Sequence, residues 1–460
     1  MSERLDRAVV IGLLIAVVGT ALAQGAVEAW SVALFELRVV VLLLLWAVKS
    51  VIDKKLSLRI PAAGIPVVAI ILLGVIQSIA HTDESGRRSA LSMDVEATRA
   101  GVTVLFFLFL AFMIAANFFT ARERLRALVN FMVVYGLSMA VFALIQYFAW
   151  DGRLLWLRPT AGQSVFGPFV NRNHFAGYME MLLPLPVALI VVRYGRSELR
   201  LVYAFAAAMM GIAAVVSLSR GGMISILVSL MFLLFMSARL PKAGARPEAI
   251  DAPHTMAAPT RLGFYLSQGF AVLAIVAAIT AGILWIGAAP VIDRVAESID
   301  SGVDISSINR SAIWTDTWSI FRASPVLGAG LGAFQTAYPL HGRSDGSQIV
   351  AQSHNDYLQV LADCGVVGAA IALAFIVLLF RATARGVRSS DPLIAALAAG
   401  SGAGIFAILV HSLFDFNLQL PSNALLFLLL CAVVSGACTL ASDRSSTRRR
   451  RSTGIRAARA

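Results

Sequence analysis

The sequence predicts an all-α polytopic membrane protein, and three observations carry that prediction. Of its 460 residues, 58% are hydrophobic and only 14% charged, with a mean hydropathy of +0.80. Soluble domains average roughly 45–50% apolar and 25% charged. Apolar runs of near-spanning length recur along the chain, and a ~30 Å hydrocarbon core takes about 20 helical residues to cross. Lys and Arg also alternate between sparse and dense from one connection to the next, as cytoplasmic and external loops do.

Twelve spans follow, at about residues 8–26, 31–48, 61–80, 99–119, 127–149, 174–192, 201–218, 221–237, 264–287, 358–380, 392–410 and 423–441. With both termini inside, 26 of the 38 Lys and Arg, including all four lysines, fall on the inner side. Eleven fall outside, and Arg38 lies within a span. Shifting the count by one span would scramble this bias. The net charge of +12 therefore reflects topology and lipid head groups, with no nucleic acid required. Arg4, Arg7 and "ALA" at 21–23 resemble a secretory signal, but a retained first helix is preferred, and either choice leaves the remaining topology unchanged. Cys364, Cys431 and Cys438 all fall within spans and suggest neither a disulfide framework nor a metal cluster.

The organisation expected is one transmembrane domain, residues 1–441, with a long outer loop at 288–357 inserted between spans 9 and 10. A basic cytoplasmic tail, 442–460, is expected to be disordered, and "ARLPKAGARPEAIDAPHTMAAPTR" (238–261) to be a flexible connector. Within the outer loop, "INRSAIWTDTWSIFRASP" puts Trp314, Trp318 and Phe321 on one helical face, suiting an interfacial helix that Pro325 ends. "GAGLGAF" (328–334) lacks the βαβ context of a nucleotide-binding fingerprint, so a turn is expected.

Chemistry concentrates on the outer side. "SLSRGG" separates two short spans, and Gly221 and Gly222 are expected to form a tight hairpin with Arg220 at its tip. That arginine is either a snorkelling side chain or a ligand group. In "QSHNDYLQ", Ser353, Asn355 and Asp356 can cap the next helix. His354 is not needed for capping, and histidine suits proton transfer near neutral pH. "NRNH" (171–174) opens the sixth span, and Glu180 lies deeper in it. An ionisable residue in a membrane helix is a functional candidate by default; the plain alternative is that Glu180 is neutral or pairs with Arg38. "HSLFDFNLQLPSN" (411–423), with His411 and Asp415, is expected to line or cap. Fixed guanidiniums at the outer head-group level suit a diphosphate.

These segments resemble the O-antigen ligase and O-antigen polymerase superfamily of bacterial membrane glycosyltransferases: "SLSRGG" between short spans, an arginine on a helix near "INRSAIWTDTW", and "SHNDYLQVLADCGVVG". "FGPFVNRNHFAGYMEMLLPLP" and "LSMDVEATR" look like motifs of its exopolysaccharide-associated members. The resemblance implies a GT-C-like inner-membrane enzyme with its active site at the periplasmic face. Such an enzyme transfers a glycan from undecaprenyl diphosphate to a glycan or lipid A-core hydroxyl, without metal, cofactor or nucleotide. Arg220 and Arg310 correspond to arginines holding the diphosphate, with Arg294 and Arg322 flanking Arg310, and His354 corresponds to the acceptor-engaging histidine. Arg172, His174, Asn355 and Asp356 complete the expected substrate-binding set. The exopolysaccharide-like motif tilts the expectation toward polymerase over ligase.

Two other classes compete. A solute transporter, such as one for a small anion, would gather polar residues at the midplane, often between inverted repeats, but mainly Gln77, Asn117 and Glu180 lie at depth. A silent scaffold fits the topology but not the outer arginines.

Overall fold

A computed structural model describes residues 2–82, 88–160, 165–240, 261–286, 305–342 and 349–457. Among these, all twelve predicted spans fall on helices. In chain order they are α1 (Ser2–Leu22), α2 (Ala29–Ile52), α3 (Gly64–Gln77), α4 (Val95–Phe118), α5 (Arg122–Phe148), α6 (Arg172–Leu182) with α7 (Pro184–Val191), α8 (Ser197–Val216), α9 (Arg220–Ser237) and α10 (Arg261–Ile286). An outer pair, α11 (Ile305–Ala323) and α12 (Phe334–His341), precedes α13 (Asp356–Val387), α14 (Pro392–His411) and α15 (Pro421–Ala457). Among the described residues, ten helices are long and apolar enough to cross a membrane, with α6 and α7 counted as one. The third, at 14 residues, is shorter than the 61–80 expected. The sixth is broken at Leu183, where Pro184 cannot donate a backbone hydrogen bond. Two small ladders, His81–Thr82 with Arg88–Ser89 and Arg153–Leu154 with Arg158–Pro159, add strand where none was expected. Arg294 and nearly all of the 238–261 connector lie outside the described residues.

Burial separates centre from rim. The α6–α7 span is 94% buried and α14 83%, against 22% for α2. Small residues let α14 sit there: a methyl at Gly400 would come within 3.0 Å of the Pro184 carbonyl. With 20 residues, α14 is about 30 Å long, the thickness of a bilayer core. Asp391 caps its start by accepting from Leu393 N (3.0 Å) and pairs with Arg122 Nε (2.7 Å). At that same end of the bundle Lys49 bridges Asp53 (2.6 Å) and Asp6 (3.5 Å). His411 closes the opposite end of α14.

The outer arm, α11 to α12, is tied to the bundle through its connecting loop. At Gly365 (φ 61, ψ −163) the α13 backbone leaves the helical region, and "PVLGAGLG" (325–332) docks into the break. Val366 N donates to Pro325 O (2.9 Å), Ala329 N to Ala362 O (2.8 Å) and Gly330 N to Asp363 O (2.9 Å). Gln77, at the end of α3, donates to Leu327 O (2.5 Å) and accepts from Leu331 N (3.0 Å). The glycine run is thus a docking loop, more than a turn. Asp316 and Tyr338 join α11 to α12 (3.1 Å), and burial together with that carboxylate pushes the tyrosine up to about 12. The α11 face turned inward carries Thr317 and Ile320; Trp318 is 44% exposed and stacks at a tilt on Phe321 (4.9 Å).

Candidate active site

The connection between α14 and α15, "HSLFDF" (411–416), organises the end of the bundle opposite the Arg122–Asp391 pair. Asp415 is 1% exposed, yet three separate segments reach it. Asn173 Nδ2, on α6, donates to its Oδ2 at 2.6 Å, His354 Nδ1 lies 3.3 Å from its Oδ1, and Arg310 on α11 lies 3.9 Å from its Oδ2. Burial works against this carboxylate, but the hydrogen bond with His354 and the charges of the surrounding histidines outweigh it. Together they hold Asp415 well below the usual carboxylate range.

His354 itself has φ +53, a left-handed conformation uncommon for any residue but glycine. Its neighbours fix it there. Ser353 N donates to Gln359 Oε1 (2.8 Å) and Ser353 Oγ to Asn355 O (2.7 Å). Asn355 Oδ1 caps α13 by accepting from Tyr357 N (3.0 Å) and Leu358 N (3.1 Å), and its Nδ2 donates to Leu413 O (3.1 Å). Asp356, buried, donates through its N–H to Ser412 O (2.9 Å) and accepts at Oδ2 from Ser412 Oγ (2.7 Å). The Asn355 and Asp356 side chains, expected from sequence at the substrate, therefore hold the His354 loop on "HSLFDF". Asn355→Ala removes the cap and the bond to Leu413, each worth about 1 kcal/mol. A melting temperature in detergent several degrees lower is expected; an unchanged one would mean the loop is held otherwise.

Phe416 stands between two histidines, with the rings of His174 and His354 each 4.9 Å away and edge-on to it. His174 is 3% exposed, and neither ring nitrogen has a hydrogen-bond partner among the described residues. Its neighbour Arg172 is the first residue of α6, whose N-cap Asn171 accepts from Asn173 N (2.9 Å). Arg322 lies in the last turn of α11, away from Asp415; Arg310, more than three turns earlier, reaches it.

The hairpin before Arg220 differs from the sequence expectation. The turn is residues 217–219, with Leu218 at φ +57, and Ser219 caps α9 by accepting from Gly222 N (3.2 Å). Arg220 opens α9, and Gly221 and Gly222 lie inside its first turn. Their missing side chains serve helix contact: a methyl at Gly221 would fall 2.6 Å from His411 Nε2, and one at Gly222 2.6 Å from the Ala176 methyl. Glu180 pairs with His411, whose Nδ1 is 3.0 and 3.1 Å from the two carboxylate oxygens. The alternative partner, Arg38, instead donates to Ile15 O (3.2 Å).

Residues 205–373, from α8 into α13, match the family model described as O-antigen ligase. That segment, somewhat over a third of the chain, is similar to the O-antigen ligase family. The described helices make the chain a multi-pass membrane protein, and the matched segment supports an enzyme of the O-antigen ligase/polymerase type. No curated protein matches the sequence. Within the ligase-like segment lie Arg220, Arg310 and His354, while Asn173, Glu180, His411 and Asp415 lie outside it. Asp415 was visible in the sequence only as a polar residue near the outer end of a span; its partners are 61, 105 and 242 positions away.

Proposed function

We propose that the chain transfers a glycan from undecaprenyl diphosphate to an acceptor hydroxyl at the periplasmic face of a bacterial inner membrane, by metal-independent displacement with inversion at the anomeric carbon. The observation that supports this most directly is Asp415 joining His354 and Arg310. A carboxylate accepts only, so it keeps the imidazole proton on Nδ1 and leaves Nε2 able to take a proton. As the acceptor oxygen bonds to the anomeric carbon, its proton passes to His354 Nε2. The bond to the diphosphate oxygen breaks, and the diphosphate departs with the electron pair.

Arg220 and Arg310 take up the charge growing on that leaving group. Such electrostatic support is commonly worth about 10²–10³-fold per donor, and general-base help about 10²–10⁴-fold. Arg172 borders the site from α6 and contacts the glycan or its lipid carrier, with the buried His174 behind it packed on Phe416. Both termini are cytoplasmic, which puts the Arg122–Asp391 end of the bundle inside and the Asp415 end outside. The exopolysaccharide-like "FVNRNHFAGY" favours chain growth over transfer to lipid A core.

Purified protein supplied with an undecaprenyl-diphosphate oligosaccharide should extend it. Product on lipid A core alone would make it a ligase, and no turnover with either acceptor would overturn the reading. Arg220→Lys keeps the charge but loses the two-pronged geometry. It should lower the rate about 10²-fold at unchanged protein level, and a wild-type rate would remove Arg220 from the mechanism.

A further inference from the structure

Glu180 and His411 are both fully buried ionisable groups, 0% and 1% exposed, and no step above uses either. Buried charges of this kind are costly unless paired, and these two are paired across helices, with Glu180 on α6 and His411 at the end of α14. The other edge of the His411 ring lies against Gly221. One turn before Glu180 on α6, Ala176 lies against Gly222. The first turn of α9 is therefore held between two surfaces that the Glu180–His411 bond locks to each other, and Arg220 is its first residue. Ser219, capping that turn, fixes the direction in which the chain enters it.

The same segment that clamps α9 through His411 clamps α13 through Ser412 and receives His354 through Asp415. We infer that Glu180 and His411 are positioning residues that set Arg220 relative to His354, so that the diphosphate and the acceptor are addressed from one rigid frame. This rests on the reading of Arg220 as a diphosphate ligand. Placement matters at this scale because displacing a reacting group by about 1 Å can cost on the order of 10²-fold in rate.

The test is a double-mutant cycle on the full-length protein in detergent, measuring kcat and KM for an undecaprenyl-diphosphate oligosaccharide beside the melting temperature. Glu180→Leu removes the bond. Gly221→Ala keeps it and pushes the His411 ring, which provides a second route if the first variant folds poorly. Each should lower kcat/KM on the order of 10²-fold, and adding Arg220→Lys to either should cost little more, because the arginine is already displaced. Glu180→Gln, which can still hydrogen-bond His411, should recover most of the loss. Losses that multiply with Arg220→Lys, or a lowered melting temperature with unchanged kcat/KM, would overturn the positioning role. A wild-type enzyme indifferent to Arg220→Lys would instead overturn the reading on which it rests.

Discussion

Asp415→Asn is expected to lower transfer by at least about 10³-fold while leaving the bundle folded, since it disables the base and loosens an arginine together. An asparagine of the same shape can keep the bond from Asn173, but it no longer attracts Arg310 and no longer dictates which imidazole nitrogen carries the proton. The carboxylate is ionised wherever activity would be assayed, because its folded pKa is depressed. Its contribution to stability is fully present above the ordinary aspartate value of about 3.9 and is lost only as pH falls through the lower folded value. Above pH 5, therefore, wild-type melting should show no step belonging to Asp415. Near-wild-type transfer by a folded Asp415→Asn enzyme would separate Asp415 from the chemistry.

Gly365→Ala is expected to detach the outer arm. The residue occupies a backbone region (φ 61, ψ −163) essentially closed to side chains, at a cost of about 1–3 kcal/mol. An added methyl would also collide with the Val326 carbonyl oxygen, the acceptor from Val367 N. Together these should exceed about 3 kcal/mol locally, enough to undock "PVLGAGLG" and carry Arg310 away from Asp415. Limited proteolysis should then cut between α11 and α13 while helix content stays constant, with transfer lowered at least 10²-fold. Protease resistance equal to wild type would show that the arm is anchored by its side chains alone.

The spanning helices were legible because a bilayer forces each crossing to be a long apolar run, a constraint written locally in the chain. His354 and Arg220 stand out in the sequence as ionisable residues at the ends of apolar elements, whereas Arg310 lies in the polar loop helix and was singled out over Arg294 and Arg322 through the family resemblance. The hub was not legible. Asn173, Arg310 and His354 meet at Asp415 from far-separated positions, and no spacing rule relates them. Gly221 and Gly222 were legible as glycines but not in purpose, since a tight turn and a close helix contact both require a missing side chain. The partner of Glu180 was hidden likewise: Arg38 and His411 are equally plausible in one dimension, and only packing chose between them. Asn355 carried a true capping signal, and Asp356, also a capping candidate in the sequence, instead clamps the neighbouring connection through Ser412.

The distribution of these residues along the chain has a consequence for biogenesis. Membrane proteins are inserted as they are made, with N-terminal segments ahead of C-terminal ones. Arg220, Arg310 and His354 are in place before the connection that carries Asp415 has emerged, and until then His354 and Arg310 have no common partner. The last two helices thus act as the closing step of assembly. A chain without those two helices would hold Arg220, Arg310 and His354 but lack the carboxylate that joins His354 to Arg310.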